Sequence, residues 1–319
     1  MKKQYNTPMK NIYFTIALVF IMFASAQAQQ DPQYTQYMYN MNVINPAYAG
    51  SKENLALGLL YRSQWVNIND APKTATFSAH SPVGKNVGMG LSIVSDKIGP
   101  VEENNVYADF SYTLNLGGEH RLAFGLKAGA TFQKIGLYSE IGNGFVPDAN
   151  DEAFGENTSD THLNIGAGFF YYTDKYYVSF SIPNMLKNTY LNVQDSGQEI
   201  KYGTDVMHYF LSAGYVFNLS NNTKLKPSFL LKSAFDAPTS LDVSANFLFF
   251  EKFELGATYR LDDSVGAMAN FAVTPSIRIG YAYDYVTSEL NVRTSGSHEI
   301  MLLFDLNFPK KVSISPRFF

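Results

Sequence analysis

Residues 106–116 read Val-Tyr-Ala-Asp-Phe-Ser-Tyr-Thr-Leu-Asn-Leu, and their side chains alternate between two faces. Successive residues of a β-strand point to opposite sides, so Val106, Phe110 and Leu114 lie opposite Asp109 and Ser111. The following residues, 121–133, repeat the pattern after the short turn Gly117-Gly118-Glu119-His120. This stretch therefore predicts an antiparallel hairpin with one apolar face and one polar face.

The same alternation recurs along the chain and predicts fourteen strands. They cover residues 54–65, 74–80, 87–94, 105–116, 121–133, 162–172, 176–183, 208–218, 224–232, 240–249, 253–260, 264–273, 276–285 and 297–308. Most are close to the roughly 9–11 residues that cross a bilayer at a tilt. We therefore expect an all-β fold, a transmembrane antiparallel up-and-down β-barrel of about 14 strands over residues 54–308.

The polar faces of these strands carry almost all of their ionisable side chains, together with amide side chains. The set is Arg62, Asp109, Lys127, Asn164, Lys226, Lys232, Asp242, Asn246, Glu254, Arg260, Arg278, Asp284, Glu299 and Asp305. A polar interior with an apolar exterior is typical of a membrane barrel, whereas a soluble β-sandwich, the alternative, hides its apolar face. Basic and acidic members of the set balance, which favours ion pairs that fill the interior over an open, ion-selective channel.

The connections between the predicted strands alternate in length. Those after even-numbered strands are short, whereas the longest, at residues 95–104, 134–161 and 184–207, follow odd-numbered strands. Short periplasmic turns and long extracellular loops predict that both termini are periplasmic. Apolar residues in two of the long loops either dock an exported partner or fold back on the barrel rim. They are Phe145, Val146, Phe154, Met185, Leu186, Tyr190, Leu191 and Tyr202.

The start of the chain has the parts of a secretory signal peptide. Lys2, Lys3 and Lys10 precede an apolar run at residues 12–23, and small residues follow up to Ala28. We expect cleavage after Ala28, so that residues 1–28 are removed; an N-terminal membrane anchor is the alternative. The chain has no cysteine, a net charge of −4 and only 16% charged residues. These values exclude disulfides and argue against a nucleic-acid partner.

No residue pattern in the chain predicts catalysis, a cofactor or a metal site. The five histidines, His80, His120, His162, His208 and His298, lack metal-ligand spacing. Ser297, His298 and Glu299 are adjacent, and alternation sends the histidine to the opposite face from its two neighbours, so they form no catalytic triad. The acidic run 148–152 lacks the glycine and glutamate of a calcium loop.

Residues 29–53 fit no strand, and two prolines interrupt them. They either pack under or inside the barrel mouth or form a short lead-in to the first strand. Their sequence contains two specific motifs. Asp31-Pro32-Gln33-Tyr34 is followed by Gln36 and Tyr37, and then by Asn45-Pro46-Ala47-Tyr48-Ala49-Gly50. This resembles the opening signature of the PorP/SprF family. Residues 296–302 resemble the family's last strand, and residues 315–319 its closing tail, within the expected periplasmic tail 309–319.

The resemblance implies a non-enzymatic outer-membrane component of the type IX secretion and gliding machinery. Its implied partners are outer-membrane lipid, type IX secretion components, and a secreted adhesin or the C-terminal domain of one. The matching residues become the candidates for partner binding: Asp31, Pro32, Gln33, Tyr34, Gln36, Tyr37, Asn45, Pro46, Ala47 and Gly50. The alternatives are a porin-like or hydrophobic-substrate channel and, less in keeping with the residues, a barrel enzyme.

Overall fold

The computed structural model describes residues 32–136, 158–186, 189–195, 198–204, 207–234 and 237–306. Within them lie seventeen strands: β1 (Leu55–Ser63), β2 (Lys73–Pro82), β3 (Val87–Ile98), β4 (Val101–Gly117), β5 (His120–Ile135), β6 (Thr158–Tyr172), β7 (Tyr176–Ile182), β8 (Thr189–Asp195), β9 (Gln198–Thr204), β10 (His208–Tyr215), β11 (Phe217–Ser220), β12 (Thr223–Ala234), β13 (Ala237–Phe249), β14 (Phe253–Arg260), β15 (Ser264–Thr274), β16 (Ile277–Val286) and β17 (Ser297–Leu306).

The main sheet is an antiparallel meander that closes on itself. Each barrel strand pairs with its neighbours in the chain, and β1 pairs with β17 from Leu55 opposite Leu306 to Ser63 opposite His298. β10 and β11 are two parts of one barrel strand, since both pair with β12. The predicted fourteen-stranded barrel is therefore confirmed.

The two faces of the barrel strands follow the predicted register. Outward side chains such as Leu126 and Leu163 are exposed, whereas inward ones such as Arg62, Lys226 and Glu254 are almost completely buried. Alternation predicted these faces well because lipid on one side and a polar interior on the other impose period 2 on each strand.

One predicted long connection is wrong. Residues 95–104 do not form a loop, because β3 and β4 continue to a tight turn at Gly99 and Pro100. Their ladder pairs Asp96 with Glu103 and Lys97 with Glu102. These residues interrupt the apolar alternation without interrupting the backbone hydrogen bonds. Alternation detects lipid contact, so it ends before the strand does.

A second long connection contains structure that the sequence pattern did not predict. Within residues 184–207, β8 and β9 pair as a separate two-stranded hairpin. The side chains of Tyr190, Leu191 and Tyr202 lie outside the described part of the structure, as do Phe145, Val146 and Phe154 of the other long loop. Met185 and Leu186 are described, and Leu186 is exposed.

The connections define two ends of the barrel. The turn end carries the short connections 83–86, 118–119, 173–175, 221–222, 250–252 and 275–276. The loop end carries residues 64–72, 183–207, 261–263 and 287–296, the last of which includes a 3-10 turn at Glu289–Val292. In the part of the chain that the structure describes, no helix is long and apolar enough to cross a membrane.

Candidate functional site

Residues 33–50, called the lumen segment below, lie inside the barrel and run along its whole length. Near the loop end, the Arg260 guanidinium donates to the Gln33 side chain at 3.1 Å. At the turn end, Lys52, just after the segment, pairs with Asp305 at 3.2 Å. The chain therefore passes from the loop end to the turn end before it reverses direction into β1.

The lumen segment is a series of short helical turns. They comprise 3-10 turns at Tyr37–Tyr39 and Pro46–Tyr48 and one α-helical turn at Met41–Ile44. Asn45 caps the last turn, because its side-chain oxygen accepts a hydrogen bond from the Ala47 N–H at 2.9 Å. Pro46 suits the first position of that turn, where its missing N–H costs nothing. Prolines and capping side chains, and no alternation of apolar and polar residues, thus determine the conformation of the lumen segment.

A buried ionic cluster holds the segment near the loop end. Arg62 of β1 lies 2.8 Å from Asp284 of β16 and 3.3 Å from Glu299 of β17. The Glu299 carboxylate also accepts the backbone N–H groups of Thr35 and Gln36, at 2.9 and 2.8 Å. Because hydrogen bonds to a charged acceptor are stronger than neutral ones, these contacts fix the segment tightly.

The Thr35 hydroxyl completes that cluster. It donates to Asp284 at 2.5 Å and accepts from Arg62 at 2.7 Å. One residue of the lumen segment therefore bridges side chains from strands β1, β16 and β17, which meet where the barrel closes.

Two tyrosines anchor the segment in mid-barrel. The Tyr37 hydroxyl donates to Ser228 at 3.0 Å, and the Tyr39 hydroxyl donates to Glu254. The Lys226 ammonium lies 5.1 Å from the centre of the Tyr39 ring.

The α-helical turn contacts the opposite wall. Asn42 donates to Asp109 at 3.2 Å, and the Lys127 ammonium donates to the Val43 carbonyl at 2.8 Å. Lys127 also lies 3.5 Å from Asp109, so the two charges balance beside the segment. This wall belongs to β4 and β5, the strands in which the alternation of side chains is most regular.

The motif around Asn45 lies in the half of the lumen nearer the turn end. The Asn45 amide donates to the Ser179 hydroxyl at 2.8 Å and to the Phe169 carbonyl at 2.9 Å. The Ser181 hydroxyl donates to the Ile44 carbonyl at 2.9 Å. Near the turn end, the Gly50 N–H donates to His80 at 3.2 Å. Side chains of the wall thus satisfy backbone groups that no strand partner reaches.

Two wall glycines let the backbone of the segment come close. A Cβ at Gly125 would lie 2.1 Å from the Ala47 nitrogen, and one at Gly88 would lie 2.2 Å from the Ala49 carbonyl oxygen. Both distances are far below van der Waals contact, so a larger residue would displace the segment.

The candidate partner-binding residues come together inside the barrel. Those that are buried are Tyr34, Gln36, Tyr37, Asn45, Pro46 and Ala47, whereas Pro32, Gln33 and Gly50 are partly exposed. Asp31 lies outside the described residues. The motif did not include Thr35, Tyr39 and Asn42, which carry three of the polar contacts to the wall. The sequence around these three residues has no regular alternation long enough to predict that their side chains face charged groups of the wall.

The structure separates the side chains that might have formed a reactive site. Ser297 and Glu299 are buried in the lumen, whereas His298 lies on the outer face, 2.6 Å from the Tyr281 hydroxyl. Among the described residues, no three His, Asp or Glu side chains are placed to hold a metal ion. The lumen groups instead pair with each other and with the segment.

Comparison with known structures supports the barrel fold. The chain is similar to the CymD monoaromatic hydrocarbon channel, with 13% identity, a TM-score of 0.50, and coverage of 84% of this chain and 92% of that chain. It is also similar to Omp33 of Acinetobacter baumannii, with 12% identity, a TM-score of 0.44, and coverage of 80% and 99%. No sequence among curated proteins matches the chain.

Comparison with protein families identifies the chain more closely. The family described as "Type IX secretion system membrane protein PorP/SprF" matches residues 26–304, most of the sequence. Together, the family match and the closed barrel of the strands place the protein in the outer membrane. This combination of family and fold, a membrane barrel of a secretion system, is typical of non-enzymatic proteins. The chain belongs to the PorP/SprF family of type IX secretion system membrane proteins.

Proposed function

We propose that this barrel works by adhesion and positioning: it binds a secreted surface protein, or the periplasmic secretion complex, at the outer membrane, and it catalyses no reaction. The occupied lumen is the observation that carries the proposal. Gln36, Tyr37 and Met38 are at most 1% exposed in mid-barrel, so water does not contact their side chains. A porin-like channel is instead lined by side chains that contact water.

The loop end provides the surface for a secreted partner. Leu261, Leu290 and Val292 are exposed there, Val292 at 82%. Apolar side chains on loops held by a rigid barrel are suited to protein contacts. The hairpin β8–β9 belongs to one of the loop-end connections. Its strand edges are of the kind that commonly pair with a partner's backbone.

The motif residues enter this proposal in two roles. Pro32 and Gln33 lie near the loop end, and together with the preceding Asp31 they contact the partner. Tyr34, Gln36, Tyr37, Asn45, Pro46, Ala47 and Gly50 act on binding indirectly, because they hold the segment in place. Residues 29–53 are thus the lumen-associated part of the mature chain, after removal of residues 1–28. The turn end, at which β17 ends, faces the periplasm, and so does the tail 309–319. Gln33 contacts Arg260 near the opposite end, so this placement departs from the expectation that both termini are periplasmic.

A tagged pull-down from outer membranes in mild detergent, followed by mass spectrometry, tests the proposal. We expect a large secreted surface protein or periplasmic ring components to be recovered with the barrel. The matched variant is Val292→Ser, which removes an exposed apolar side chain from the loop end. Leu116→Ser, at the turn end, is its control. Recovery of a secreted partner should fall with Val292→Ser and persist with Leu116→Ser.

The opposite outcome is equally concrete. A barrel that comes down alone and passes small solutes in liposomes contradicts the proposal and supports a channel. The same purified sample checks the processing step, because mass spectrometry of the mature amino terminus should find Gln29 first.

A further inference from the structure

The outer face of the barrel carries an apolar groove across β7, β10, β12 and β13. Ala213 forms its floor, because it lies opposite Val178 of β7 on one side and opposite Phe229 of β12 on the other. Val243 of β13 lies opposite Phe229 and continues the wall. A small outward side chain between larger ones leaves a furrow in the surface, here with a volume of about 720 Å³.

The groove ends in polar groups at the turn end. Tyr176 and Tyr215 line it there, and their rings stack with centres 6.1 Å apart. The Tyr176 hydroxyl lies 3.4 Å from the Tyr171 hydroxyl, which in turn lies 2.6 Å from His120. The exposed Lys175 belongs to the adjacent turn. Tyrosines and a cation at this level are suited to the headgroup region of a bilayer.

The structure assigns this groove to one phospholipid of the leaflet at the turn end. An acyl chain lies along Ala213 between Val178 and Phe229, and the phosphate lies near Lys175 and His120. Two features favour a lipid as the occupant. The groove lies on the membrane-facing side of the strands, and its polarity changes once, from apolar to polar, as a phospholipid does.

The first experiment counts tightly bound lipid by native mass spectrometry of the intact barrel. We expect one phospholipid to remain at collision energies that strip the others. Ala213→Phe fills the floor of the groove and should abolish this retained lipid. Ala257→Phe is the control, since Ala257 is also outward-facing but lies between Ala245 and Ala267, which form no wall. Equal retention in the two variants, or no retained lipid in the unmodified barrel, overturns the assignment.

A second experiment does not depend on the folding of the Ala213 variant. Val243 and Val265 are 49% and 47% exposed, and they lie directly opposite Tyr259, one on each side of it. The only tryptophan, Trp65, is first replaced in a Trp65→Phe background. Val243→Trp, in the groove, and Val265→Trp, outside it, then each provide a single fluorophore.

Brominated phospholipid quenches a tryptophan that it touches. In vesicles of increasing brominated content, the V243W fluorescence should reach half of its full quenching at a several-fold lower mole fraction than the V265W fluorescence. Preferential binding in the groove produces that difference. Coincident quenching curves would mean that both positions meet only bulk lipid, and the assignment would then be wrong.

Discussion

Glu299→Gln changes one carboxylate in the cluster that holds the lumen segment near the loop end. Glu299 is completely buried and accepts hydrogen bonds from two backbone N–H groups of the segment and from Arg62. The amide keeps one acceptor oxygen and presents an NH₂ group where an acceptor is needed. One backbone N–H then loses its partner, and the ion pairing of Arg62 in the cluster is reduced to Asp284, while its hydrogen bond to Thr35 remains.

The size of the effect follows from these losses. A buried N–H without a partner costs about 1–3 kcal/mol, and a weakened buried ion pair adds to that cost. We take a total of roughly 2–4 kcal/mol. Since about 1.4 kcal/mol is a factor of ten, the population with a detached segment should rise about 30- to 1000-fold.

A single engineered thiol measures that population, because the chain has no cysteine. Met38 is 1% exposed inside the barrel, so the M38C thiol reacts with a polar maleimide only when the segment leaves its place. The labelling rate should increase by the same factor. Bursts of conductance in planar bilayers should become more frequent in parallel, since detachment opens the lumen.

Asp305→Asn is the matched control, a carboxylate-to-amide change on the same strand. The Lys52–Asp305 pair is partly exposed, at 25% and 34%, so its loss should cost at most about 1 kcal/mol and change labelling less than about 5-fold. An unchanged labelling rate in Glu299→Gln, or an equal rise in Asp305→Asn, refutes the assignment of the cluster as the anchor.

Three further predictions concern the segment and the membrane face. Gly125→Ala places a Cβ against Ala47 and should lower the temperature at which the barrel loses its heat-modifiable gel mobility. Gly84→Ala is the control: its Cβ would have its nearest contact at 3.7 Å, so this temperature should not change. Asn45→Ala removes a cap and two wall contacts and should destabilise the barrel by about 1–3 kcal/mol in denaturant unfolding from vesicles; an unchanged midpoint contradicts the contacts described. Leu126→Arg, near the middle of β5, should lower the free energy of unfolding by roughly 2–4 kcal/mol in the same assay. Leu116→Arg, at the turn end, should lower it by only about 0–1 kcal/mol. Equal losses would contradict the membrane placement.

The sequence predicted the barrel well and its contents only in part. Strand positions follow from the alternation that lipid imposes, which is why residues 106–116 and 121–133 fall inside β4 and β5. The strand extensions beside Gly99 carry no such signal, because residues 95–97 and 102–104 are polar on both faces.

The path of the lumen segment could not be read from residues 29–53, because turns stabilised by wall contacts have no period. An indirect signal existed in the strands themselves. Inward charges such as Asp109, Lys226 and Glu254 are too costly to bury without partners, so their number predicted internal pairing. It could not predict that a segment of the same chain supplies part of it.

The segment and the barrel wall need each other for a geometric reason. Side chains alone just fill a barrel of about 8 strands, and fourteen strands leave a wider interior. The lumen segment fills that space, and it reaches the seam where the first and last strands meet. Arg62 and Glu299 lie directly opposite each other in the β1–β17 pairing, and both contact Thr35. The segment directly precedes β1 in the chain and contacts the seam that β1 forms with β17. Closure of the seam and retention of the segment therefore depend on the same three residues.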